Sequence, residues 1–431
     1  MLKPSIPFFF LTMYCHVYGQ TIEGYLFDAQ LALQKKDAAA ACTALDKAYQ
    51  LDTTNINTLS QISSAYFKLG DYKQSAQYYE QLLQYTPNNN QERFNCAITY
   101  TKQGEFDKAL YHLEQLGKKF PDEPHIRGNL LKLYLRKKLW HKAALINKPQ
   151  LWWYDTNMYG KTVLLELAKP GNGLGDAFMF IRYAQWLHQA GARVVVQAPN
   201  ACLPLFARCP FIDTVIGAAQ PPPPHNYSYS ICIASLMQVC RHKEAMGSIQ
   251  SPYLEADPAL VDIWKNRLAH DTNFKIGLCW QTNFIKDLFT GTIIPSPRSI
   301  SLAALQPLAQ PGISFYSLEK NITETELPFQ ITIHTDDFDQ TNGRFMDTAA
   351  LIANCDLIIS VDTAIAHLAG ALGKPVWLIL GCESDYRWFE KSEHVFWYPN
   401  MRIFRQETLY NWEPVIQKMQ DQLTNIIKNY S

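Results

Sequence analysis

The sequence predicts an α-helical repeat array followed by an α/β part built from two Rossmann-like halves. In the first third of the chain, marker residues recur at a spacing of 34 residues, which is typical of stacked helix pairs. From Lys161 onward, apolar strands alternate with helices, which indicates parallel sheets. The chain of 431 residues is 47% hydrophobic and 18% charged, as folded globular domains are.

The repeats are recognised by aromatic, glycine and proline positions. Equivalent residues 34 apart are Tyr66 and Tyr100, Gly70 and Gly104, Tyr72 and Phe106, and Pro87 and Pro121. Each 34-residue unit is predicted to form two amphipathic helices. A turn at the glycine separates them, and the second helix ends before the proline. One unit alone cannot bury its apolar face, so neighbouring units stack into a superhelix with a concave surface. We predict this array over residues 21–150, with a degenerate last unit.

The α/β part divides into two halves, predicted over residues 161–265 and 266–431. The first contains the strands "TVLLELA", "RVVVQAP" and "DTVIG", and the second contains "FKIGLCW", "ISFYSLEK", "DLIISV" and "PVWLILG". In open sheets of this kind, ligands bind beyond the carboxyl ends of the strands. We therefore expect a cleft between the halves, bordered by the turns that follow these strands.

The turn "GNGLGD", residues 171–176, follows the first strand. Its spacing is G-x-G-x-G-D rather than the dinucleotide pattern G-x-G-x-x-G, and the second strand ends without an acid to hold a ribose. A carboxylate at the start of the helix would also repel a phosphate. Two interpretations of Asp176 remain open: a proton acceptor, or a routine N-cap or first-turn residue.

A second strand-to-helix turn occurs in "LIISVDTAIAHLAGALG". Asp362 or Thr363 starts a helix of small residues, which can lie close to the sheet and leave its first N–H groups open to a phosphate. Ordinary packing of a capped helix on a sheet explains the same residues, so both interpretations stay open here.

Five segments together resemble a known family. They are "GNGLGDAFMFIRYAQWL", "KIGLCWQTN", "PRSISLAALQPLA", "MDTAALIANCDLIISVDTAIAHLAGALGKPVWLIL" and "DYRWFEKSEHVFWYPNMRIFRQ". Their order is similar to that of the heptosyltransferase-like family nine glycosyltransferases, here preceded by tetratricopeptide repeats. The resemblance implies a GT-B-type fold, an inverting transfer from a nucleotide-diphosphate sugar, and no required metal or cofactor.

The resemblance also implies roles for individual residues. Asp176 would be the catalytic base, in an acceptor-side turn that contains Gly173 and Gly175. The donor would lie against Asp362, Thr363, Ala364, Arg298, Trp280 and Gln281. For Arg298, an ordinary surface arginine before a helix is an equal alternative. His367 is interpreted as a packing residue near the cleft.

The charge and composition of the chain limit which partners are expected. Lysine plus arginine and aspartate plus glutamate both number 39, so no overall field favours nucleic acid. Asp337-x-Asp339 is read as solvated acids rather than a metal site. Expected partners are the sugar donor, a glycan or protein acceptor, and a protein bound by the repeats.

The N-terminal residues 1–20 are predicted to be a signal-like or disordered segment, with Lys3 before an apolar run. Transferases of this type use cytosolic donors, so we expect a cytoplasmic protein without a transmembrane span, and an exported one if residues 1–19 are a signal peptide. Two alternatives to the transferase remain: a catalytically silent scaffold that binds partners through its repeats, and a GT-B-like nucleotide-sugar epimerase.

Overall fold

The computed structural model describes residues 20–35, 37–146, 157–168, 173–222, 227–232, 251–282, 285–286, 293–294, 296, 298–319, 322, 327–334, 337–382, 384–390, 392–408 and 411–430. The signal-like segment up to Gly19, Gly171 of the turn and the predicted end of the array beyond Ile146 lie outside these residues. The chain divides into two compact units, one comprising Met1–Leu133 with Lys286–Ile294 and the other Tyr134–Ile285 with Pro295–Ser431.

Helices of 13 or 14 residues, followed by a shorter one of 7, form the repeat part. They are α1 Ile22–Gln34, α2 Ala38–Leu51, α3 Ile56–Leu69, α4 Tyr72–Tyr85, α5 Asn90–Gln103, α6 Phe106–Lys119, α7 Pro124–Arg136 and α8 Trp140–Ile146. Gly70 and Gly104 end α3 and α5 with φ of 79° and 83°, a left-handed conformation that glycine adopts without strain. Ala97 and Ala109 are fully buried, so these small residues pack between helices.

The same hydrogen-bonded seam recurs in successive repeats. Tyr66 donates its hydroxyl to Asp46 at 2.9 Å, and Tyr100, 34 residues later, donates to Glu80 at 2.9 Å. A second ring stacks beside each tyrosine, and this ring is Tyr78 in the first seam and His112 in the second. Hydrogen bonds from His112 and Tyr100 hold the pKa of Glu80 below its usual value. The 34-residue period therefore repeats a polar interaction as well as an apolar pattern.

The other unit contains two parallel sheets. The first has the order β3-β2-β1-β4, with β1 Thr162–Glu166, β2 Arg193–Ala198, β3 Thr214–Gly217 and β4 Tyr229–Cys232. Helices α9 Leu174–Phe180 and α10 Arg182–Gln189 follow β1, α11 Leu203–Phe206 follows β2, and α12 Pro258–Arg267 leads to the second sheet.

The second sheet has the order β11-β12-β10-β9-β5-β8. Its strands are β5 Phe274–Cys279, β8 Ile313–Ser317, β9 Leu357–Val361, β10 Val376–Leu380, β11 His394–Val395 and β12 Tyr398–Arg405. Two further strands, β6 Ile285–Lys286 and β7 Ile293–Ile294, pair with each other in a separate two-stranded sheet. Helices α13 Met346–Asn354, α14 Ala364–Ala371 and α15 Glu413–Tyr430 complete this part. Only β11 runs antiparallel to its neighbour among the pairs described.

The predicted class, a helical repeat array followed by a GT-B-type α/β fold of two Rossmann-like halves, is confirmed. One apolar core is shared by helices of both halves, including Phe178 of α9 and Leu368 of α14, so these helices pack against each other between the sheets. The segment "SLAALQPLAQPG" forms a 3₁₀ helix at Leu302–Leu308 that contains Pro307. Among the described residues, no helix combines the length and the apolar character needed to cross a lipid bilayer.

Candidate functional site

The turn after β1 holds Asp176 in the first turn of α9. Gly173 is the N-cap residue, and its N–H donates to Asp176 Oδ2 at 2.9 Å. The carboxylate thus closes the helix start, as the first-turn interpretation expected. This local bond leaves Oδ1 directed elsewhere, so the geometry is compatible with both interpretations of Asp176.

Gly175 brings this turn against the second half of the α/β unit. A Cβ atom at Gly175 would lie 2.7 Å from Cδ2 of His367 and 3.6 Å from the Cα of Ala364, the first residue of α14. Any larger residue would therefore collide with α14. The turns at Asp176 and at Thr363, which are 187 positions apart in the chain, consequently border the same place.

Arg387 is the residue that sequence reasoning missed. It lies in the 3₁₀ helix Tyr386–Trp388, and its Nη2 is 2.8 Å from Asp176 Oδ1 while its Nε is 2.9 Å from Asp385 Oδ1. Burial favours a lower pKa for Arg387, but the acidic groups around it, Asp385 foremost, raise the pKa above its usual value. The guanidinium is therefore a permanent cation that links the two halves at the candidate site.

The second turn carries the predicted donor residues. Thr363 caps α14, since its Oγ1 accepts from the N–H of Ile365 at 3.2 Å. Asp362 is 6% exposed at the end of β9, and burial raises the pKa of its carboxyl against the opposing charges of Arg387 and Arg298. Thr363 and Ala364 are partly exposed, so the start of this helix is accessible.

Arg298 lies beside this turn. Its Nη1 is 3.7 Å from Asp362 Oδ2 and 3.4 Å from the backbone oxygen of the same residue. The side chain is 54% exposed, so the pair is worth little in stability while the guanidinium is available to an anion. The structure thus brings together Asp176, Gly175, Asp362, Thr363, Ala364 and Arg298.

Trp280 and Gln281 follow β5, where both backbone N–H groups donate to Glu319 Oε1, at 2.9 and 2.7 Å. The expectation that the Trp280 side chain lines the cleft is wrong. Its ring is completely buried in the apolar core on the other side of the second sheet, because the ring belongs with the strand's core-facing residues. Gln281 is partly exposed and stays a predicted donor contact.

His367 occupies the packed side of the site. Its Nδ1 lies 2.9 Å from the Tyr398 hydroxyl, and its ring stacks on Trp388. Burial, reinforced by the charges of Arg387 and Arg182, lowers the pKa of His367 well below its ordinary value, so the ring is neutral. Its Nε2 is buried and has no hydrogen-bond partner among the described residues.

Arg182 of α10 ties the halves together behind the site. Its guanidinium donates to the backbone oxygen of Trp397 at 2.8 Å and to the Tyr253 hydroxyl at 2.9 Å. It is 3% exposed and also lies over the ring of Tyr398. Carbonyl and hydroxyl oxygens and aromatic faces thus stabilise this buried charge.

The interpretation of Asp337-x-Asp339 as solvated acids is wrong for its second member. Asp339 is 7% exposed and accepts from the Thr348 hydroxyl at 2.6 Å and from the Thr348 N–H at 3.1 Å. Its φ of 57° turns the chain back onto the start of α13. Asp339 therefore accepts a backbone N–H in the first turn of α13, whereas Asp337 is exposed.

One group of side chains in the repeats has the composition of a metal site. Ligand atoms of Glu80, Cys96 and His112 lie within 4.8 Å of one another. However, Arg93 Nη1 is 3.4 Å from His112 Nδ1, and His112 Nε2 lies 3.1 Å from Glu80 Oε1, where a ring N–H donates to the carboxylate. Because the preceding repeat has an equivalent seam, in which Asp46 and Tyr78 take the places of Glu80 and His112, we interpret the group as a hydrogen-bonded seam.

Comparisons with known proteins agree with the two parts of the fold. Residues 343–402 match the family model of glycosyltransferase family 9 (heptosyltransferase), and residues 57–89 and 94–123 match tetratricopeptide repeat models. The chain therefore carries tetratricopeptide repeats followed by a family 9 glycosyltransferase segment, as the resemblance implied.

Individual proteins are similar at low identity. Protein FlbA of Caulobacter vibrioides is 25% identical over 295 residues, which are 63% of this chain and 48% of FlbA, so the chain spans about half of that relative. The structure of E. coli ADP-heptose lps heptosyltransferase II matches with 15% identity and a TM-score of 0.42, covering 62% of this chain and 99% of that one. MamA from Desulfovibrio magneticus RS-1 matches with 19% identity and a TM-score of 0.27, covering 33% and 82%.

Proposed function

We propose that the protein is an inverting glycosyltransferase that moves a sugar, a heptose or another hexose-like unit, from a nucleotide-diphosphate sugar to a hydroxyl acceptor. The observation that supports this proposal is the close approach of the Asp176 turn to the start of α14, where a Cβ added at Gly175 would lie 3.6 Å from the Cα of Ala364. A carboxylate that can accept a proton and a helix start that can receive a diphosphate then face one reaction centre.

In the proposed step, the Asp176 carboxylate accepts the proton of the acceptor hydroxyl. The acceptor oxygen forms a bond to the anomeric carbon while the bond from that carbon to the diphosphate oxygen breaks on the opposite face. The nucleoside diphosphate leaves with the electron pair, and the configuration at the anomeric carbon inverts. Gly173 has no side chain, and this leaves room for the acceptor beside the Asp176 carboxylate.

Charge on the leaving diphosphate would be stabilised by the first N–H groups of α14 and by Arg298, whose guanidinium suits bidentate contact with phosphate. Asp362, Thr363 and Gln281 would border the rest of the donor. Because these donors and a cation are supplied by the chain, we propose a reaction that needs no metal ion.

We further propose that the repeats bind a protein partner or acceptor, that nucleic acid is not a partner, and that residues 161–265 and 266–431 are the acceptor and donor halves. Since nucleotide sugars are cytosolic, the proposed location is the cytoplasm.

A thermal-shift screen tests the proposal, with ADP, GDP, UDP and their sugar derivatives as probes. A ligand at 100 times its Kd raises the unfolding free energy by about 2.7 kcal/mol, which is easily detected. No response to any of these nucleotides would favour the scaffold alternative.

The base assignment is tested with Asp176→Asn and with Asp262→Asn, an exposed aspartate of α12 that serves as the matched control. We expect Asp176→Asn to bind the responding nucleotide sugar and to lose transfer, measured as release of nucleoside diphosphate and as labelled sugar in the glycan or protein fraction. Asp262→Asn should transfer normally. Full transfer by Asp176→Asn would remove the assigned base.

A further inference from the structure

Both carboxylate oxygens of Asp176 are engaged in the structure. Oδ2 accepts from the Gly173 N–H at 2.9 Å, and Oδ1 is paired with Arg387 Nη2 at 2.8 Å. The ion pair is well sheltered, since the side chains are 13% exposed for Arg387 and 17% for Asp176. An acceptor hydroxyl that approaches Asp176 would have to compete with Arg387 for Oδ1 and with the Gly173 N–H for Oδ2, so this arrangement is unsuited to a base.

Arg387 is also a largely buried cation with several acidic side chains around it. Asp176 and Asp385 contact it directly, and the charge of Asp362 acts on it as well. A nucleoside diphosphate at the start of α14 would bring further negative charge to Asp362 and Asp176. Binding of such a ligand requires a cation that offsets this repulsion. Arg298 already lies beside Asp362, so with Arg298 alone the negative charges of Asp176 and the diphosphate would face each other.

We propose that Arg387 is a donor-operated clamp: it holds Asp176 in the unliganded protein and moves to the diphosphate when the nucleotide sugar binds, which releases Asp176 to act as the base. This inference rests on the proposed function and adds an order of events to it. The acceptor hydroxyl can be deprotonated only after the donor is in place.

The surroundings of Arg387 allow such an exchange. Asp385 holds the Nε atom and also accepts the backbone N–H of Arg387 at 3.1 Å, so the inner part of the side chain is anchored. The Nη2 atom that pairs with Asp176 is at the free end of the planar group. A guanidinium offers its N–H groups in a fork that fits either a carboxylate or a phosphate.

The clamp makes Asp176 and the diphosphate competitors for one cation. Asp176→Asn removes the competing charge but keeps an amide oxygen to accept from Gly173. Nucleoside diphosphate should then bind more tightly, by about five- to tenfold, because Arg387 no longer has to give up its ion pair with Asp176 when it moves to the diphosphate. A purely structural role of the pair predicts unchanged or weaker binding.

Repulsion between Asp176 and the diphosphate would also tighten binding in this variant, and a double-mutant cycle separates the two causes. The tightening from Asp176→Asn should be present with Arg387 and absent in the Arg387→Gln background. If it persists there, repulsion acts alone and the clamp is refuted.

The experiment measures Kd by isothermal titration calorimetry for ADP, GDP and UDP on the full chain, using the wild type, both single variants and the double variant. Urea unfolding of each variant confirms the fold. Where Arg387→Gln does not fold, Arg387→Lys takes its place; it keeps a charge without the fork, and should bind diphosphate less tightly and show a reduced effect of Asp176→Asn.

The outcomes also separate this inference from the function on which it rests. Failure of the wild type to bind any of the three diphosphates contradicts the proposed transferase itself. Binding by the wild type without tightening in Asp176→Asn leaves the transferase standing and overturns the clamp.

Discussion

Gly175→Ala tests the close approach of the two halves. The new Cβ would lie 2.7 Å from Cδ2 of His367 and 3.4 Å from its Nε2. His367 cannot retreat freely, because it is 1% exposed, bonded to Tyr398 at 2.9 Å and stacked on Trp388. Overpacking of this kind costs about 1–3 kcal/mol, and replacing a helical glycine by alanine returns at most ~1 kcal/mol. We expect a net loss of about 1–2 kcal/mol of unfolding free energy and weaker diphosphate binding.

Gly128→Ala is the matched control for this substitution. Gly128 is an exposed residue of α7, and a Cβ there would meet nothing within 4 Å. The same chemical change should therefore stabilise the repeats by about 0.8–1 kcal/mol. The two variants are expected to shift stability in opposite directions.

The assay is urea unfolding followed by two signals. All ten tryptophans lie at or after Trp140, in the compact unit that begins at Tyr134, so their fluorescence reports on that unit, while far-UV circular dichroism also follows the repeat helices before it. Gly175→Ala combined with His367→Ala should lose less stability than the sum of the single changes, because the smaller side chain makes room. Unchanged or increased stability of Gly175→Ala would refute the predicted collision.

Three further predictions use equally simple variants. Tyr100→Phe should cost about 1–2 kcal/mol, since it removes a hydrogen bond to the Glu80 carboxylate, while Tyr85→Phe at a 46% exposed position should be neutral in the same unfolding assay. Burial lowers the pKa of His334 to about 4 in the folded protein. As the pH falls, this histidine is therefore protonated in the unfolded chain, where its pKa is about 6.5, before it is protonated in the folded protein. Stability should fall as pH drops from about 6.5 towards 4, by at most ~1.4 kcal/mol per pH unit, and His334→Phe should flatten this slope in unfolding measured at several pH values. Asp339→Ala should cost about 2–3 kcal/mol, because Thr348 loses two buried hydrogen bonds, whereas Asp122→Ala, at an exposed position, should stay within ~0.5 kcal/mol; equal effects would contradict the role assigned to Asp339.

The predictable parts of the fold are those encoded by short-range pattern. The 34-residue period places Gly70 and Gly104 at equivalent helix ends, and the strand–helix alternation after Lys161 yields the two parallel sheets. Each pattern involves residues close in the chain, where periodicity and capping preferences decide the local structure.

The contacts that define the candidate site are long-range, and this limits what the sequence reveals. Arg387 lies 211 positions after Asp176, in a segment already noted for its resemblance, yet no local feature marks it as the partner of that carboxylate. Trp280 was misplaced because β5 is buried on both faces, so its apolar pattern does not tell on which side of the sheet the ring of the following residue lies. Asp339 was misread because its burial depends on a left-handed turn that returns the chain to α13.

The seam of the repeats makes the array extendable in fixed steps. Each seam tyrosine bonds an acid 20 residues before it, as Tyr66 does with Asp46 and Tyr100 with Glu80. A second copy of residues 71–104, inserted after Gly104, would bring its own acid and its own tyrosine in register. The array could thus be lengthened by one 34-residue unit at a time, while the sequence of the α/β unit stays unaltered.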